Sequence, residues 1–350
     1  MLDTRPGESI SLEVPFSRTP VQPGQEAVLH LEAVLAQDTR WAPAEHSLAW
    51  EQLVLDLPVI AAPEAPRVAL SAELSEQGLR QLSLGGQEVL VTAMEANFWR
   101  APIDNDGIRR WSGQADKPLG KWLEWGVNRI ALVDSQKQGD TVQQVYRTPG
   151  GQELRVAQTW TSGNDSLQAR WVFEVPEALS DLPRLGVRFA LQSGFEQLEW
   201  LGRGPQESYP DRCAGYPLGR WQSTVTEEYV PYILPQEHGN HMATRWMALH
   251  NGTSGLLLVG GAHLQFSASH FTAEDLFAAS HTADLAPRAE TWVCLDALQR
   301  GLGTLSCGPD TLEHYKIRPG RYELKFTIAA FDPATQNPGE LARALQAGVS

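Results

Sequence analysis

Apolar and polar positions alternate through most of this chain. In Ala27-Val28-Leu29-His30-Leu31-Glu32-Ala33 the odd positions are apolar and the even ones mixed. Leu167-Gln168-Ala169-Arg170-Trp171-Val172-Phe173-Glu174-Val175 and Tyr322-Glu323-Leu324-Lys325-Phe326-Thr327-Ile328 repeat the pattern. A period of two predicts strands with one buried face. Turn signals such as Gln77-Gly78, Gly85-Gly86, Asn164-Asp165, Asn251-Gly252 and Pro319-Gly320 punctuate these runs. Their close spacing suits antiparallel hairpins and leaves no room for crossover helices. The expected class is all-β, built as sandwiches. One helix stands out, near the C-terminus: Asn337 can cap it, Pro338 suits its first position, and Leu341 with Leu345 form an i, i+4 apolar pair before Gly348.

Pro58, Pro63 and Pro66 crowd a short segment, and a new strand-like run begins at Val68. We therefore expect a partial small sandwich over 1–57, a Pro-rich linker over 58–67, a large β domain over 68–335, and a terminal helix and tail over 336–350. The first segment is shorter than the ~100 residues of an immunoglobulin-like domain, so it is expected to be truncated on its N-terminal side. Met1 inside an incomplete sandwich favours a piece of a longer polypeptide over a separately encoded subunit.

Composition narrows the function. The chain has 350 residues, 42% hydrophobic and 20% charged, enough for sizeable cores. Lys and Arg number 28 against 42 Asp and Glu, a net charge of −14 with no basic run, which sets aside nucleic-acid and anionic-membrane partners. Cys213, Cys294 and Cys307 have no C-x-x-C spacing and make neither a disulfide framework nor a zinc site. The N-terminus lacks an apolar signal core, and the longest apolar run, Gly255 to Ala262, is too short to span a bilayer. A soluble protein of a reducing, cytoplasmic compartment is expected. The 12 Trp outnumber 10 Phe and 7 Tyr, so they either fill a wide core or stack on a flat ligand such as a sugar.

Several clusters could carry chemistry. Asn97-Phe98-Trp99-Arg100-Ala101-Pro102-Ile103-Asp104-Asn105-Asp106-Gly107 puts three short oxygen-bearing side chains in a turn, where they can bind sugar hydroxyls, a cation or their own backbone. Ile108 to Gly126, with Trp111, Trp122 and Trp125, reads as a long loop and a candidate lid. Trp200-Leu201-Gly202-Arg203-Gly204-Pro205-Gln206-Glu207-Ser208-Tyr209-Pro210-Asp211-Arg212 reads as a rigid loop stapled by an ion pair from Glu207 or Asp211 to Arg212. Pro235-Gln236-Glu237-His238-Gly239-Asn240-His241 sets a carboxylate beside two histidines, for general acid–base work, the rim of a sugar site, or a satisfied polar network. As a metal site it is weak, with no fourth ligand nearby. The turn Gly301-Leu302-Gly303-Thr304-Leu305-Ser306-Cys307-Gly308-Pro309-Asp310 lacks the Lys and helix of a phosphate loop, and Cys307 lacks a neighbouring base, so it reads as a small filler.

In these clusters the sequence resembles the C-terminal region of the lac-type β-galactosidases of glycoside hydrolase family 2. The strings Asn97 to Asp106, Leu201 to Arg212 and Pro231-Tyr232-Ile233-Leu234-Pro235-Gln236-Glu237-His238-Gly239, and the Gly301 to Pro309 turn, fall in the family's order. Thr39-Arg40-Trp41-Ala42-Pro43-Ala44-Glu45-His46 is similar, more loosely, to the end of the preceding immunoglobulin-like domain. The resemblance implies a galactose-mutarotase-like antiparallel supersandwich from about 68 onward, preceded by a partial immunoglobulin-like sandwich. It implies retaining hydrolysis of terminal β-D-galactose residues of lactose-type substrates, with both catalytic glutamates in a barrel that precedes this chain. No catalytic residue is therefore expected here, and no metal ligand, since the family's Mg²⁺ and Na⁺ sites belong to that barrel.

What the resemblance lends this chain is an active-site wall and subunit contacts. The loop beginning at Asp104-Asn105-Asp106-Gly107 resembles one that closes on substrate, and Cys307 falls where many members place a Trp that stacks on the aglycone sugar. Glu237 and His238 join these as substrate-binding candidates. The implied partners are a β-galactoside, a catalytic barrel or large subunit, and further copies in a homo-oligomer. Two other classes remain: a free-standing aldose epimerase using Glu237 and His238, and a non-catalytic sugar-binding module using exposed Trp.

Overall fold

The alternating runs are strands. In a computed structural model, which describes residues 4–21, 25–57, 68–109 and 111–346, they form Ala27–Val34, Ser166–Val175 and Gly320–Phe331. The 58–67 linker and the last four residues of the tail lie outside the described residues. The chain divides into two compact units, residues 1–64 with 343–350, and residues 65–342. In the first, Ala27–Val34 pairs antiparallel with Ser47–Leu55, from Ala27 opposite Leu55 to Ala33 opposite Ala49. Trp41, Leu48, Leu53 and Val54 of this unit are exposed.

In the second unit an antiparallel sheet of twelve strands dominates. One path through it ends in the meander Ser166–Val175, Glu153–Gly163, Thr141–Arg147 and Ala131–Gln138. Its fork is the long strand Gly255–Ser269. The first half pairs with Gly320–Phe331, Gly255 opposite Phe331. The second half turns to Thr291–Gln299, Gln265 opposite Asp296. Beyond that lie Arg184–Leu191 and the short Glu95–Asn97, so the motif beginning at Asn97 hangs from the end of this branch.

Period-two burial explains the core. In Glu153–Gly163 the positions Leu154, Val156, Gln158 and Trp160 are buried, and their even spacing puts them on one face. Trp160 meets Trp171 edge to face at 6.1 Å, and Trp171 stacks on Phe173 at 6.3 Å. Most of the tryptophan surplus is core, as alternation indicated for Trp160 and Trp171.

The reading of 108–126 as one long loop is corrected. Pro118–Trp125 is a helix with Pro at its start, and its backbone turns left-handed at Gly126, φ 75°. Leu119 and Trp122, one turn apart, are buried, and Trp122 Nε1 donates to the Asp181 carbonyl at 2.7 Å. Trp122 is thus core, and Trp125 packs against it half-buried. Of these three tryptophans only Trp111 stands exposed, at 67%. A second helix, Ala273–Ala278, opens on a reciprocal Thr272 and Asp275 capping box. No helix among the described residues is long and apolar enough to cross a membrane.

Candidate functional site

The Asn97 to Gly107 motif folds back on itself through its charges. Arg100 and Asp106, both fully buried, form a two-pronged pair at 2.8 and 3.0 Å, and Asp106 Oδ2 also accepts from the Ile103 amide at 3.0 Å. Arg100 Nη1 donates to the Arg300 carbonyl at 2.6 Å. Fully buried, Arg300 in turn grips Asp181 at 2.9 Å and Asp310 at 2.8 Å, with Asp106 3.8 Å away. Both Asp106 oxygens are therefore occupied inside the fold. Gly107, at φ 142°, is buried where a Cβ would press on Leu119 and Lys117 at 3.2 Å, so only glycine lets the chain turn there.

Above this base the same loop presents Asp104 and Asn105. Asp104 is exposed, and its amide donates to Gln236 Oε1 at 3.2 Å. Asn105 is a clasp: its Nδ2 donates to the Gly303 carbonyl at 2.7 Å, and its Oδ1 accepts from the Ser306 amide at 3.2 Å and the Ser306 hydroxyl at 2.6 Å. Cys307 is exposed on the turn so held. From the opposite side Asp211 accepts from the amides of Leu302 and Gly303, at 2.8 and 2.7 Å, and from the Thr311 hydroxyl at 2.7 Å. Burial alone would raise the Asp211 pKa, but the Gly303 and Leu302 amides and the Thr311 hydroxyl together hold it below the usual carboxylate range. Residues about 200 positions apart thus form one rim of Asp104, Asn105, Gln236 and Gly303 to Cys307.

The clasp makes a prediction. Asn105→Ala is expected to cost about 1–2 kcal/mol and to leave the 303–307 turn without its inner tether. Hydrogen exchange should show faster exchange at the Ser306 amide, with the strand amides of 153–163 unchanged.

Glu237 and His238 point elsewhere. The Glu237 amide donates to the Ala101 carbonyl at 3.1 Å, tying this segment to the first motif. Its carboxylate accepts from Arg184 Nη2 at 2.8 Å and Gln299 Nε2 at 3.4 Å. The same guanidinium lies 3.1 Å from Asp296, and all three side chains are nearly fully buried. Gly186, opposite Asp296 in the ladder, leaves room that any Cβ would fill, since it would stand 2.2 Å from Asp296 Oδ1. Burial pushes the Asp296 carboxyl up to about 7; Arg184 opposes this and Glu237 adds to it. Burial also lifts the Cys294 thiol, on the same strand, to about 11.

A raised carboxyl pKa means that the folded chain binds more protons here than the unfolded one, so the stability it contributes is present near pH 4 and lost as pH rises through about 7. Thermal unfolding should show the wild-type midpoint falling, relative to Asp296→Asn, across that window. A constant difference between the two would contradict this.

Neither His238 nor His241 joins the other at a common site. His241 Nε2 meets Glu228 at 2.6 Å, while His238 Nδ1 faces the Gln236 carbonyl at 3.0 Å. Among the described residues no group of three or more His, Cys, Asp or Glu is arranged to hold a metal ion. The Glu207 loop is stapled as its sequence indicates. Glu207 holds Arg212 and the Tyr232 hydroxyl, and accepts from the Gly239 amide at 2.8 Å. Asp211, the other candidate for that ion pair, serves the 301–311 turn instead.

Sequence reasoning missed Gln236, Arg184, Asp211 as a turn holder, Asp296 and Arg300. Their partners lie far along the chain, and only their setting among Gly and Pro marked any of them.

The family described as "Beta galactosidase small chain" matches residues 66–328, and that described as "Beta-galactosidase, domain 4" matches residues 1–56. A protein named Beta-galactosidase from Arthrobacter sp. (strain B7) is 30% identical over 357 residues, covering 93% of this chain and 35% of that protein. One of the same name from Aeromonas hydrophila is 32% identical over 332 residues, covering 86% and 32%. The chain spans about a third of the length of these curated relatives. Among solved structures, a galactose mutarotase-like protein from Lactobacillus casei is 12% identical with a TM-score of 0.39, covering 75% of this chain and 97% of that one. A putative aldose 1-epimerase from Escherichia coli K12 is 10% identical with a TM-score of 0.35, covering 76% and 98%.

Proposed function

Since the chain belongs to the β-galactosidase small-chain family, we propose that it is the C-terminal portion of a retaining β-galactosidase and supplies one wall of the active site to a catalytic barrel outside it. The observation that carries this reading is the tiling of two family matches, 1–56 then 66–328, along a chain that covers about a third of its relatives' length. The nucleophile and the acid/base belong to the barrel. This chain's share is positional: Asn105 and Asp211 fix the turn bearing Cys307, Gln236 fixes Asp104, and the resulting rim faces the second sugar. A thiol at Cys307 offers no flat aromatic platform, so the aglycone is held loosely there.

Trp111 at 67% exposure, Ile233 at 95% and Leu312 at 63% stand on the loops that carry this rim. They are the apolar contacts we assign to the barrel partner. Lactose-type substrates, a homo-oligomeric assembly and residence in the cytoplasm complete the reading; the three free thiols support that compartment.

The test is an assay with a chromogenic β-galactoside. The chain alone is expected to give no turnover above buffer, and the same chain joined to its barrel is expected to be active. Substantial turnover by the chain alone would sink the proposal.

A further inference from the structure

Where the Glu237 and His238 side chains end there is a cleft of ≈ 40 Å³, lined also by Arg184, Trp292, Phe271 and Cys294. Two of its polar side chains are incompletely used. The His238 ring is 94% buried, from an exposure of 6%. Its Nδ1 lies 3.0 Å from the Gln236 carbonyl, which can only accept, so Nδ1 carries a proton, and in the neutral ring Nε2 is then the acceptor. That Nε2 has no partner among the described residues. At Glu237, Oε1 holds Arg184 and Gln299, while Oε2 receives no hydrogen bond from a described residue.

Charge decides what could satisfy them. Arg184 already faces Glu237 and Asp296. Arg188, on the outer wall, is paired with Glu95 at 2.8 Å and Glu274 at 2.7 Å. Each guanidinium thus has two carboxylates, and neither is left over for an anion. With four carboxylates around two guanidiniums there is no positive charge to spare, and among the described residues no group of three or more His, Cys, Asp or Glu is arranged to hold a metal ion. What is missing is hydrogen-bond donors without net charge, beside aromatic surface, since Trp292 and Phe271 line the same cleft. A space of this size takes about one to three waters, or the edge of a larger molecule whose remainder stays in the mouth.

We infer that this cleft binds a neutral polyhydroxyl compound by its edge, one hydroxyl donating to His238 Nε2 and another to Glu237 Oε2, with a C–H face against Trp292. No bond is made or broken. The inference does not rest on the proposed β-galactosidase role, because the cleft is built wholly from this chain and needs no barrel.

The experiment is a titration of the full chain followed by the imidazole ¹⁵N shifts of His238, assigned by comparison with His238→Phe. D-galactose and glycerol are expected to move the Nε2 resonance saturably, in the sense of an acceptor gaining a donor, and acetate is expected to leave it unmoved. Saturation-transfer measurements should show polyol binding to His238→Phe weakened by at least about tenfold. An unmoved His238 at about 100 mM polyol would mean that the cleft holds water only, and would overturn the inference. So would an equal response to acetate, or unweakened binding by the variant. The wild-type titration stands even if the variant fails to fold. A chain active with its barrel but silent here would lose this inference and keep the proposed function.

Discussion

Replacing Arg300 with Ala is expected to destabilise the large unit by roughly 3–5 kcal/mol, enough to unfold much of a marginal domain. Arg300 is fully buried among Asp106, Asp181 and Asp310, and Arg100 shares Asp106 with it. Removing it leaves the buried Asp106 and the partly exposed Asp181 and Asp310 facing one fewer cation, and the cost is mainly that of charge left short of a partner. The loss is also functional in form. Asp106 anchors the loop that presents Asp104 and Asn105, and Asp310 lies in the turn that presents Cys307, so one substitution loosens both sides of the rim. Chemical denaturation would read the effect. Arg300→Lys keeps the charge but not the fork that serves two carboxylates, and should recover only part of the loss. A change below about 1 kcal/mol for Arg300→Ala would show that this ion network does not hold the site.

Asp211→Ala should be the next most damaging, at about 2–3 kcal/mol, because one carboxylate accepts from two backbone amides and a hydroxyl. The damage should be local: the Leu302 and Gly303 amides lose protection while the strand Gly255–Ser269 keeps it. The pH dependence has a definite sign. The Asp211 pKa is depressed, so its stabilisation is present above the ordinary carboxylate range and is lost only as pH falls below that range. Hydrogen exchange of the 301–311 segment should therefore accelerate in strong acid in the wild type, and already be fast at neutral pH in Asp211→Ala.

The strands were readable in advance because burial on one face writes itself into every second residue, as in Ser166–Val175 and Gly320–Phe331. The C-terminal helix Pro338–Gln346 was readable from its cap, and Asn337 Oδ1 does accept from the Gly339 amide at 2.9 Å. The helix Pro118–Trp125 was not, because Gly120 and two tryptophans blur a pattern barely two turns long. The site was legible only in part. Asp104, Asn105 and Cys307 do come together, but composition could not say that Asp106 turns inward to Arg100, or that Glu237 serves Arg184. Arg184 lies 53 positions from Glu237, and Asp106, though six residues from Arg100, also faces Arg300 far along the chain; a charge carries no mark in the sequence of the partner that neutralises it.

The claim that this chain forms a wall of a galactoside site is tested most directly at Cys307. With the chain joined to its catalytic barrel, the alkylation rate of Cys307 would be followed by peptide mass spectrometry with and without a saturating, non-hydrolysable galactosyl disaccharide. Cys307 is exposed in the isolated chain, so the account predicts fast labelling there, and labelling slowed several-fold in the assembled enzyme when the disaccharide is bound. Labelling of Cys307 at the same rate with and without that ligand would contradict it.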